Sequence, residues 1–230
     1  MYAIIDQRSP EKVKNNLAKY VDDVFEFSSE NITYNSISGH PDIFIFQDSK
    51  KLIVTPNSPK SLFDFLDKKK INYALGIKNV GESLAESSSY NCYSTKDYFF
   101  CNEGKPDKSI QNYCVNKQLI LVPQSYVRCS MFGINNQKMI TSDLGIVKVL
   151  NNFKIDYFYF NPSEIKILDH KNGFLGGTLG KMDNKLFFLG NILKHKEGRE
   201  LNKFISNNQN EVVCLGNDCL YDGGGLFFVE

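Results

Sequence analysis

Apolar and polar residues along this chain follow a pattern that predicts one structural unit several times over. The clearest copy covers residues 40–76, where HPDIFIF and KLIVTPN predict two strands, SPKSLFDFLDKKK predicts an amphipathic helix, and INYALG predicts a third strand. Alternation with period two is typical of strands, and spacings of three and four residues are typical of helices. The repeated unit is therefore strand, strand, helix, strand.

Three more copies follow in the same order, beginning at YNCYST, VRCSMFGI and GFLGGTLGKM. The chain ends supply a fifth copy if the C-terminal strand LYDGGGLFFVE pairs with the N-terminal strand YAIID. The second strands of all five copies then end at matching polar residues, which are Asp6, Asn57, Asn102, Asp143 and Asn191. A ring closed by the two chain ends leaves no exposed sheet edge. We therefore predict a single α/β domain over residues 1–230, a five-bladed α/β-propeller of ββαβ modules.

An ordinary mixed α/β sheet built from βαβ units is the alternative fold. Between the predicted elements, residues 77–89 (IKNVGESLAESSS) are polar and rich in small side chains. Such a composition predicts a loop or lid, and residues 162–172 could form a second one.

The charge balance limits the classes of partner. The chain has 27 basic and 26 acidic residues, a net charge of +1, so it lacks the basic excess expected of a protein that binds nucleic acid or an anionic membrane. No apolar run approaches the ~20 residues of a membrane span, and the polar start predicts no signal peptide. We expect a cytoplasmic protein, and the sequence leaves open whether it forms a homo-oligomer.

Cofactor and metal sites are not indicated. The six cysteines form no CxxC pair and the three histidines are scattered, so reduced thiols are expected rather than disulfides or a zinc site. Gly176, Gly177 and Gly180 have no lysine at the spacing of a phosphate-binding loop. We therefore predict no cofactor and no metal.

Two short motifs carry a family resemblance. His40-Pro41-Asp42 looks like a His-x-Asp element, and Asp222-Gly-Gly-Gly225 looks like a glycine-rich strand. Together with the five-fold ββαβ pattern, they resemble the pentein superfamily of guanidino-group-modifying enzymes. This superfamily includes arginine and agmatine deiminases, dimethylarginine dimethylaminohydrolases, amidinotransferases and a non-catalytic ribosome anti-association factor. The segments GHPDIFIFQ, QSYVRCSMFG, MITSDLGI and GFLGGTLGKM look like a short bacterial branch of it.

The chain departs from that family at the nucleophile. In the familiar hydrolases a cysteine follows the glycine run of the last module, but here the glycines are followed by Leu226-Phe-Phe-Val-Glu230. Cys129, in Arg128-Cys129-Ser130, opens the first strand of another module, two modules from the His40 motif. That separation resembles the one in those hydrolases and fits a ring whose chain start has moved by one blade. Coincidence is the alternative explanation.

The resemblance implies a cysteine hydrolase or amidinotransferase that acts on a small guanidino or amidino compound. Asp42 and Asp222 would hold a planar guanidinium by paired hydrogen bonds. Cys129 would be the nucleophile, with Arg128 or the bound cation favouring its thiolate. His40 would protonate the leaving amine and then activate water against a thiouronium-type intermediate.

Two further residues complete the predicted site. Asn91 would orient substrate or water. Asp143 is a candidate for substrate binding because it belongs to the same module as Cys129. The other Asn and Asp residues at the ends of the second strands are expected to cap helices or to form turns.

Each site residue also has an ordinary structural interpretation. Cys129 could be a small core residue, His40-Pro-Asp42 could start a strand, and Asp222-Gly-Gly-Gly225 could be a turn. A non-catalytic pentein-fold binding module, for a small molecule or a protein, is therefore the alternative function. A weaker one is an interaction protein that uses residues 77–89. In such a ring the first strand of each module lines a central channel. Convergence of Cys129, His40 and the two aspartates in that channel favours the enzyme, and a channel plugged by Phe and Leu favours the binding module.

Overall fold

The computed structural model describes residues 1–230, and its strands form five separate three-stranded sheets. Each sheet is one blade of a ring. The strands are β1 (Tyr2–Asp6), β2 (Asp23–Phe27), β3 (Ile45–Gln47), β4 (Leu52–Val54), β5 (Ala74–Leu75), β6 (Tyr93–Ser94), β7 (Tyr98–Cys101), β8 (Gln118–Leu121), β9 (Met131–Gly133), β10 (Lys138–Thr141), β11 (Asp156–Tyr159), β12 (Leu179–Met182), β13 (Lys185–Phe188), β14 (Glu211–Cys214) and β15 (Phe227–Val229). The helices are α1 (Glu11–Leu17), α2 (Pro41–Phe44), α3 (Lys60–Lys68), α4 (Leu84–Ser87), α5 (Lys108–Tyr113), α6 (Val127–Ser130), α7 (Leu144–Asn152) and α8 (Gly198–Ser206).

All blades have the same strand order. In blade 2, β3 runs antiparallel to β4, and β5 runs parallel to β4 on its other side. Blades 3, 4 and 5 repeat this arrangement with β6–β8, β9–β11 and β12–β14. Parallel neighbours need a crossover connection, and the helices α1, α3, α5, α7 and α8 lie in those crossovers. The predicted ββαβ repeat is confirmed.

Blade 1 is built from both chain ends. Strand β15 pairs antiparallel with β1, with Tyr2 opposite Val229 and Ile4 opposite Phe227, and β2 completes the sheet. Hydrogen bonds then cross every boundary between neighbouring blades, in ring order Gln47 Nε2 to Phe228 O, Ser94 Oγ to Asp48, Gly133 N to Tyr93 Oη, Lys181 Nζ to Ile134 O, and Leu226 N to Leu179 O. The predicted closed five-bladed ring is confirmed, and an open mixed sheet is excluded.

The crossover helices pack between the sheet of their own blade and that of a neighbouring blade. Leu62 and Leu66 of α3 are fully buried in the same core as Ile53 and Val54 of β4. Burying one such side chain contributes roughly 1.5–3 kcal/mol. Because this core also contains Phe27 of blade 1 and Phe99 of blade 3, it holds neighbouring blades together. None of the helices combines the length and apolar character needed to cross a lipid bilayer.

The first strands of the blades start later than the sequence predicts. The segment HPDIFIF forms the helical turn α2 and only then strand β3, and VRCSMFGI forms α6 before β9. A 3₁₀ turn at Gly176–Thr178 precedes β12 in the same way. Short apolar runs do not distinguish strand from helix, and Pro41 at the first helical position favours the turn. His40, Asp42 and Cys129 therefore lie on turns, not in strands.

Candidate active site at one end of the channel

The turns that open the blades bring their polar residues together at one end of the ring. First and second strands are antiparallel, so this end also holds the carboxyl ends of the second strands. Five of these residues lie on the segments that open blades 1 to 4, and the sixth lies at the end of β1 in blade 1. Each of the six is at most 5% exposed. We call this group the polar cluster; it consists of Asp6, His40, Asp42, Asn91, Cys129 and Asp222.

Cys129 is at the centre of one half of the polar cluster. Its Sγ donates a hydrogen bond to Asp42 Oδ2 over 2.7 Å and accepts one from Asn91 Nδ2 over 3.4 Å. The Asn91 amide also accepts from Cys129 N at 3.1 Å and donates to Asp42 O at 3.2 Å. Asn91 therefore fixes both the thiol and the turn that carries Asp42. Cys129 points into the polar cluster, not into the core of its blade.

His40 lies in the other half, between two carboxylates. Its Nε2 is 4.0 Å from Asp6 Oδ2 and its Nδ1 is 4.0 Å from Asp222 Oδ1, both beyond hydrogen-bond length. No group of the protein lies within hydrogen-bond distance and angle of either ring nitrogen or of Asp42 Oδ1, and all three atoms are buried. Buried polar atoms are normally satisfied, so three unsatisfied atoms in one cluster mark a place where a polar ligand can bind.

Burial sets the protonation states of the cluster. It raises the pKa of Asp42 to about 6, although the charge of Arg128 partly opposes this, and it raises the pKa of Asp222. Burial and the neighbouring carboxylates hold the pKa of the Cys129 thiol well above its ordinary value. Burial lowers the pKa of His40. At neutral pH the cluster therefore contains a neutral thiol and a neutral imidazole beside carboxylates that are poorly solvated.

The glycine run after Asp222 allows this close packing. Asp222 accepts hydrogen bonds from Phe174 N at 2.8 Å and from Gly224 N at 3.1 Å, which orient its carboxylate. Gly224 has φ of +70°, and a Cβ built on it would lie 2.5 Å from the Cβ of His40. Only glycine allows the segment before β15 to approach the histidine in this conformation.

Arg128 turns away from the thiol. Its guanidinium donates to Gly176 O at 2.6 Å and to Leu179 O at 3.0 Å, and it forms no hydrogen bond with Cys129 Sγ. The expected direct contact between Arg128 and a thiolate is therefore absent. Its charge instead favours the ionised form of Asp42, lowering the pKa that burial raises.

Asp143 lies outside the cluster's hydrogen-bond network. Its Oδ1 accepts from Ile146 N at 2.8 Å and caps α7, while its Oδ2 accepts from Gln124 Nε2 at 2.9 Å. Both oxygens are thus engaged, and the structure does not bring this carboxylate to Cys129. Asn191 acts similarly, accepting from Leu193 N at 2.9 Å.

The sequence did not identify Asp6 as a member of the site. Its carboxylate is fully buried, accepts from Arg8 Nε at 3.1 Å and Nη2 at 2.8 Å, and accepts from Tyr221 Oη at 3.2 Å. Its position at the end of β1 matches the capping residues of other blades, which concealed it. The arginine two residues later was the available signal, because a buried carboxylate needs a cation.

Four segments that connect successive blades are joined in pairs by hydrogen bonds, and one of them carries Tyr126, close to Cys129. Tyr126 Oη forms hydrogen bonds with Ser87 Oγ at 2.8 Å and with Tyr34 Oη at 3.0 Å, and Ser36 Oγ with His170 Nε2 at 2.9 Å. The predicted loop at 77–89 contains the short helix α4, which starts at Ser83 with a capping box. The contacts of Tyr126 close the cluster on this side.

Solved structures share this architecture. An agmatine deiminase from C. jejuni, a cysteine-to-serine mutant with substrate bound, superposes with a TM-score of 0.61 over 96% of this chain and 91% of that one, at 9% identity. A DDAH from Pseudomonas aeruginosa, a cysteine-to-serine mutant complexed with citrulline, gives 0.54 over 94% and 91%, at 8% identity. SxtG, an amidinotransferase from Microseira wollei, gives 0.53 over 93% and 88%, at 8% identity.

The closed ring of five ββαβ blades and these neighbours define the chain as a pentein-fold protein, as the resemblance implied. No curated protein sequence matches it. A model described as a family of unknown function (DUF6873) matches residues 4–227. The chain belongs to that family.

Proposed function

We propose that this protein is a cysteine-dependent enzyme that acts on a small guanidino or amidino compound, as a hydrolase or an amidinotransferase. One observation carries the proposal. A cysteine bonded to a carboxylate at 2.7 Å lies in the same buried cluster as a histidine whose two ring nitrogens have no partner. A purely structural core would satisfy or replace such groups. The fold shared with guanidino-modifying enzymes is consistent with it.

The cation is recognised by the two buried aspartates of the channel. A planar amidinium offers N–H donors on both sides, and Asp42 Oδ1 is an unused acceptor. Because burial raises the pKa of both Asp42 and Asp222, a bound cation would replace their missing solvation. The same positive charge favours a thiolate at Cys129, whose resting pKa is raised by burial and by these carboxylates. Substrate therefore activates the nucleophile.

In the proposed reaction, Cys129 is the nucleophile and His40 carries the proton. The thiol proton, which Asp42 Oδ2 accepts in the resting site, passes to His40 when substrate binds, and this gives a thiolate and an imidazolium. Sγ then bonds to the amidinium carbon, the C–N bond to the leaving amine breaks, and His40 returns the proton to that amine. In hydrolysis, neutral His40 takes a proton from water as the water oxygen bonds to the carbon. The C–Sγ bond then breaks, the hydroxyl proton passes to Sγ, His40 releases its proton to solvent, and a neutral ureido product leaves. In a transferase an acceptor amine replaces the water.

Substrate entry requires the segments that connect successive blades to move. Every member of the polar cluster is at most 5% exposed, and the hydrogen bonds of Tyr126 to Ser87 and Tyr34 close the approach. Closure after binding would exclude bulk water from the intermediate.

A binding module without catalysis is the second candidate. It is favoured by the neutral state of the buried thiol, since burial and the carboxylates raise its pKa and no cation contacts Sγ. This candidate predicts that an amidinium binds to the cluster and is released unchanged.

Turnover of a guanidine panel separates the two candidates. Arginine, agmatine and methylated arginines would be incubated with the full chain, and ammonia, amine and urea release would be measured. The enzyme proposal predicts product from at least one compound, loss of that activity in Cys129→Ala, and its retention in Cys219→Ala. Product formation that survives in Cys129→Ala would reject the assigned nucleophile, and saturable binding without product would favour the binding module.

A further inference from the structure

The opposite end of the channel holds a separate cavity. The hairpins that join first and second strands surround it, and its volume is about 690 Å³. Phe132 and Phe227 belong to its lining, as do Arg128, Lys181 and Tyr93. The polar cluster lies beyond Arg128, at the other end of the first strands, so the proposed reaction does not use this cavity.

The floor of the cavity contains a buried cation that forms no salt bridge. Arg128 is 6% exposed, and its guanidinium carbon lies 4.7 Å from the ring centre of Phe132 and 5.4 Å from that of Phe227. Its only hydrogen bonds go to two backbone carbonyls, Gly176 O and Leu179 O. A guanidinium has five N–H donors, so about three of them have no acceptor. Buried charges are normally paired.

Two further donors accompany Arg128. Lys181 Nζ donates to Ile134 O at 2.5 Å and forms no salt bridge, and partial burial lowers its pKa. Tyr93 Oη accepts from Gly133 N at 2.7 Å, which leaves its own hydroxyl proton available to a ligand. The Tyr93 ring also packs on Phe132 at 5.5 Å, next to Arg128.

Asp42 and Asp222 of the polar cluster partly compensate the charge of Arg128 from its other side, and acidic side chains at the rim of the cavity add little to this. Asp48 is already paired with Lys117 at 2.8 Å. Asp183 and Glu230 are exposed to solvent, where their field is screened. The floor of the cavity therefore offers guanidinium N–H donors that have no acceptor, in partly desolvated surroundings flanked by aromatic rings.

We propose that this cavity binds a small organic anion, a carboxylate or phosphate monoester with an aromatic or apolar body. The anion is held by Arg128, Lys181 and the Tyr93 hydroxyl, and its body packs on Phe132. The planar guanidinium of Arg128, which already packs on two aromatic rings, can bind two oxygens of one anion with two parallel N–H donors. The site is distinct from the cysteine site and does not depend on the proposed function.

Phenyl phosphate is the probe that tests the site. Inorganic phosphate, which has the charge without the ring, and phenol, which has the ring without the charge, are the comparison ligands. Calorimetric titration of the full chain is expected to show saturable binding of phenyl phosphate, at least tenfold weaker binding of inorganic phosphate, and none of phenol. Lys181→Met is expected to lower the affinity for phenyl phosphate at least tenfold. Lys166→Met, at the other end of the channel, and Cys129→Ala are expected to leave it unchanged.

Two results would overturn the proposal. One is an affinity for phenol equal to that for phenyl phosphate, which would show that the charge of the ligand has no role. The other is Lys181→Met binding like the unaltered chain, or Lys166→Met losing as much affinity. If Lys181→Met does not fold, Tyr93→Phe replaces it, because it removes one donor and keeps the ring; unchanged binding of both phosphates in that variant would also count against the site.

Discussion

Replacing Asp42 with asparagine should stabilise the fold while removing its proposed activity. Burial raises the pKa of Asp42 to about 6, against an ordinary value of 3.8. The folded state therefore binds more protons than the unfolded state between about pH 4 and 6, and stability falls as pH rises through that window. The difference of roughly two pH units corresponds to about 3 kcal/mol of stability lost above pH 6. Asparagine resembles the protonated acid, and its carbonyl oxygen can still accept the Cys129 thiol proton.

Urea unfolding at several pH values measures this effect. The free energy of unfolding of Asp42→Asn should match that of the unaltered chain near pH 4 and exceed it by up to about 3 kcal/mol at pH 7.5. Asp64→Asn is the matched control: this carboxylate is exposed and pairs with Lys60 at 2.7 Å, so its loss should change stability by less than about 0.5 kcal/mol at any pH. A difference that does not vary with pH, or an Asp42→Asn variant less stable at pH 7.5, would refute the reasoning.

Three other predictions follow from the same contacts. Arg8→Met leaves the fully buried carboxylate of Asp6 without its cation and should lower the free energy of unfolding by about 3 kcal/mol. The control Lys60→Met breaks an exposed ion pair and should lower it by less than about 0.5 kcal/mol. Equal losses of the two variants in urea unfolding would contradict this prediction. Gly224→Ala places a Cβ 2.5 Å from the Cβ of His40 and should cost about 3 kcal/mol. Gly104→Ala, with φ of +69° and no atom within 4 Å, should cost about 1 kcal/mol; similar melting temperatures of the two variants would show that the contact with His40 is unimportant. Tyr126→Phe removes the hydrogen bonds of Tyr126 to Ser87 and Tyr34 and should raise the alkylation rate of Cys129, measured by mass spectrometry, roughly fivefold. An unchanged rate would mean that these hydrogen bonds do not control access to the thiol.

The fold could be predicted from the sequence because its signal is repeated. Five copies of one pattern, with polar residues at matching strand ends, indicated the ring, and the pairing of YAIID with the C-terminal strand followed from closure. The boundaries of the first strands could not be predicted. Apolar runs such as IFIF satisfy strand and helix patterns alike, so the turns α2 and α6 became visible only in three dimensions.

The candidate site was predictable only in part, for physical reasons. His40, Asp42 and Cys129 converge because each opens a blade, a position that the repeat defines. The direction of a side chain is not encoded in that position, so the orientation of Arg128 toward Leu179 O was not predicted. Asp6 was missed because a capping residue and a buried carboxylate have the same sequence pattern until a partner such as Arg8 is seen.

The choice between two reactive probes tests the central claim most directly. 2-Chloroacetamidine and 2-chloroacetamide have the same shape and alkylate thiols, but only the first is a cation. Peptide mapping of the full chain would give the ratio of the two rates at Cys129 and, as an internal reference, at the half-buried Cys219. Two carboxylates that bind an amidinium should raise the ratio at Cys129 about a hundredfold above that at Cys219, equivalent to about 2.7 kcal/mol. The same ratio at both cysteines would contradict an amidinium site at Cys129.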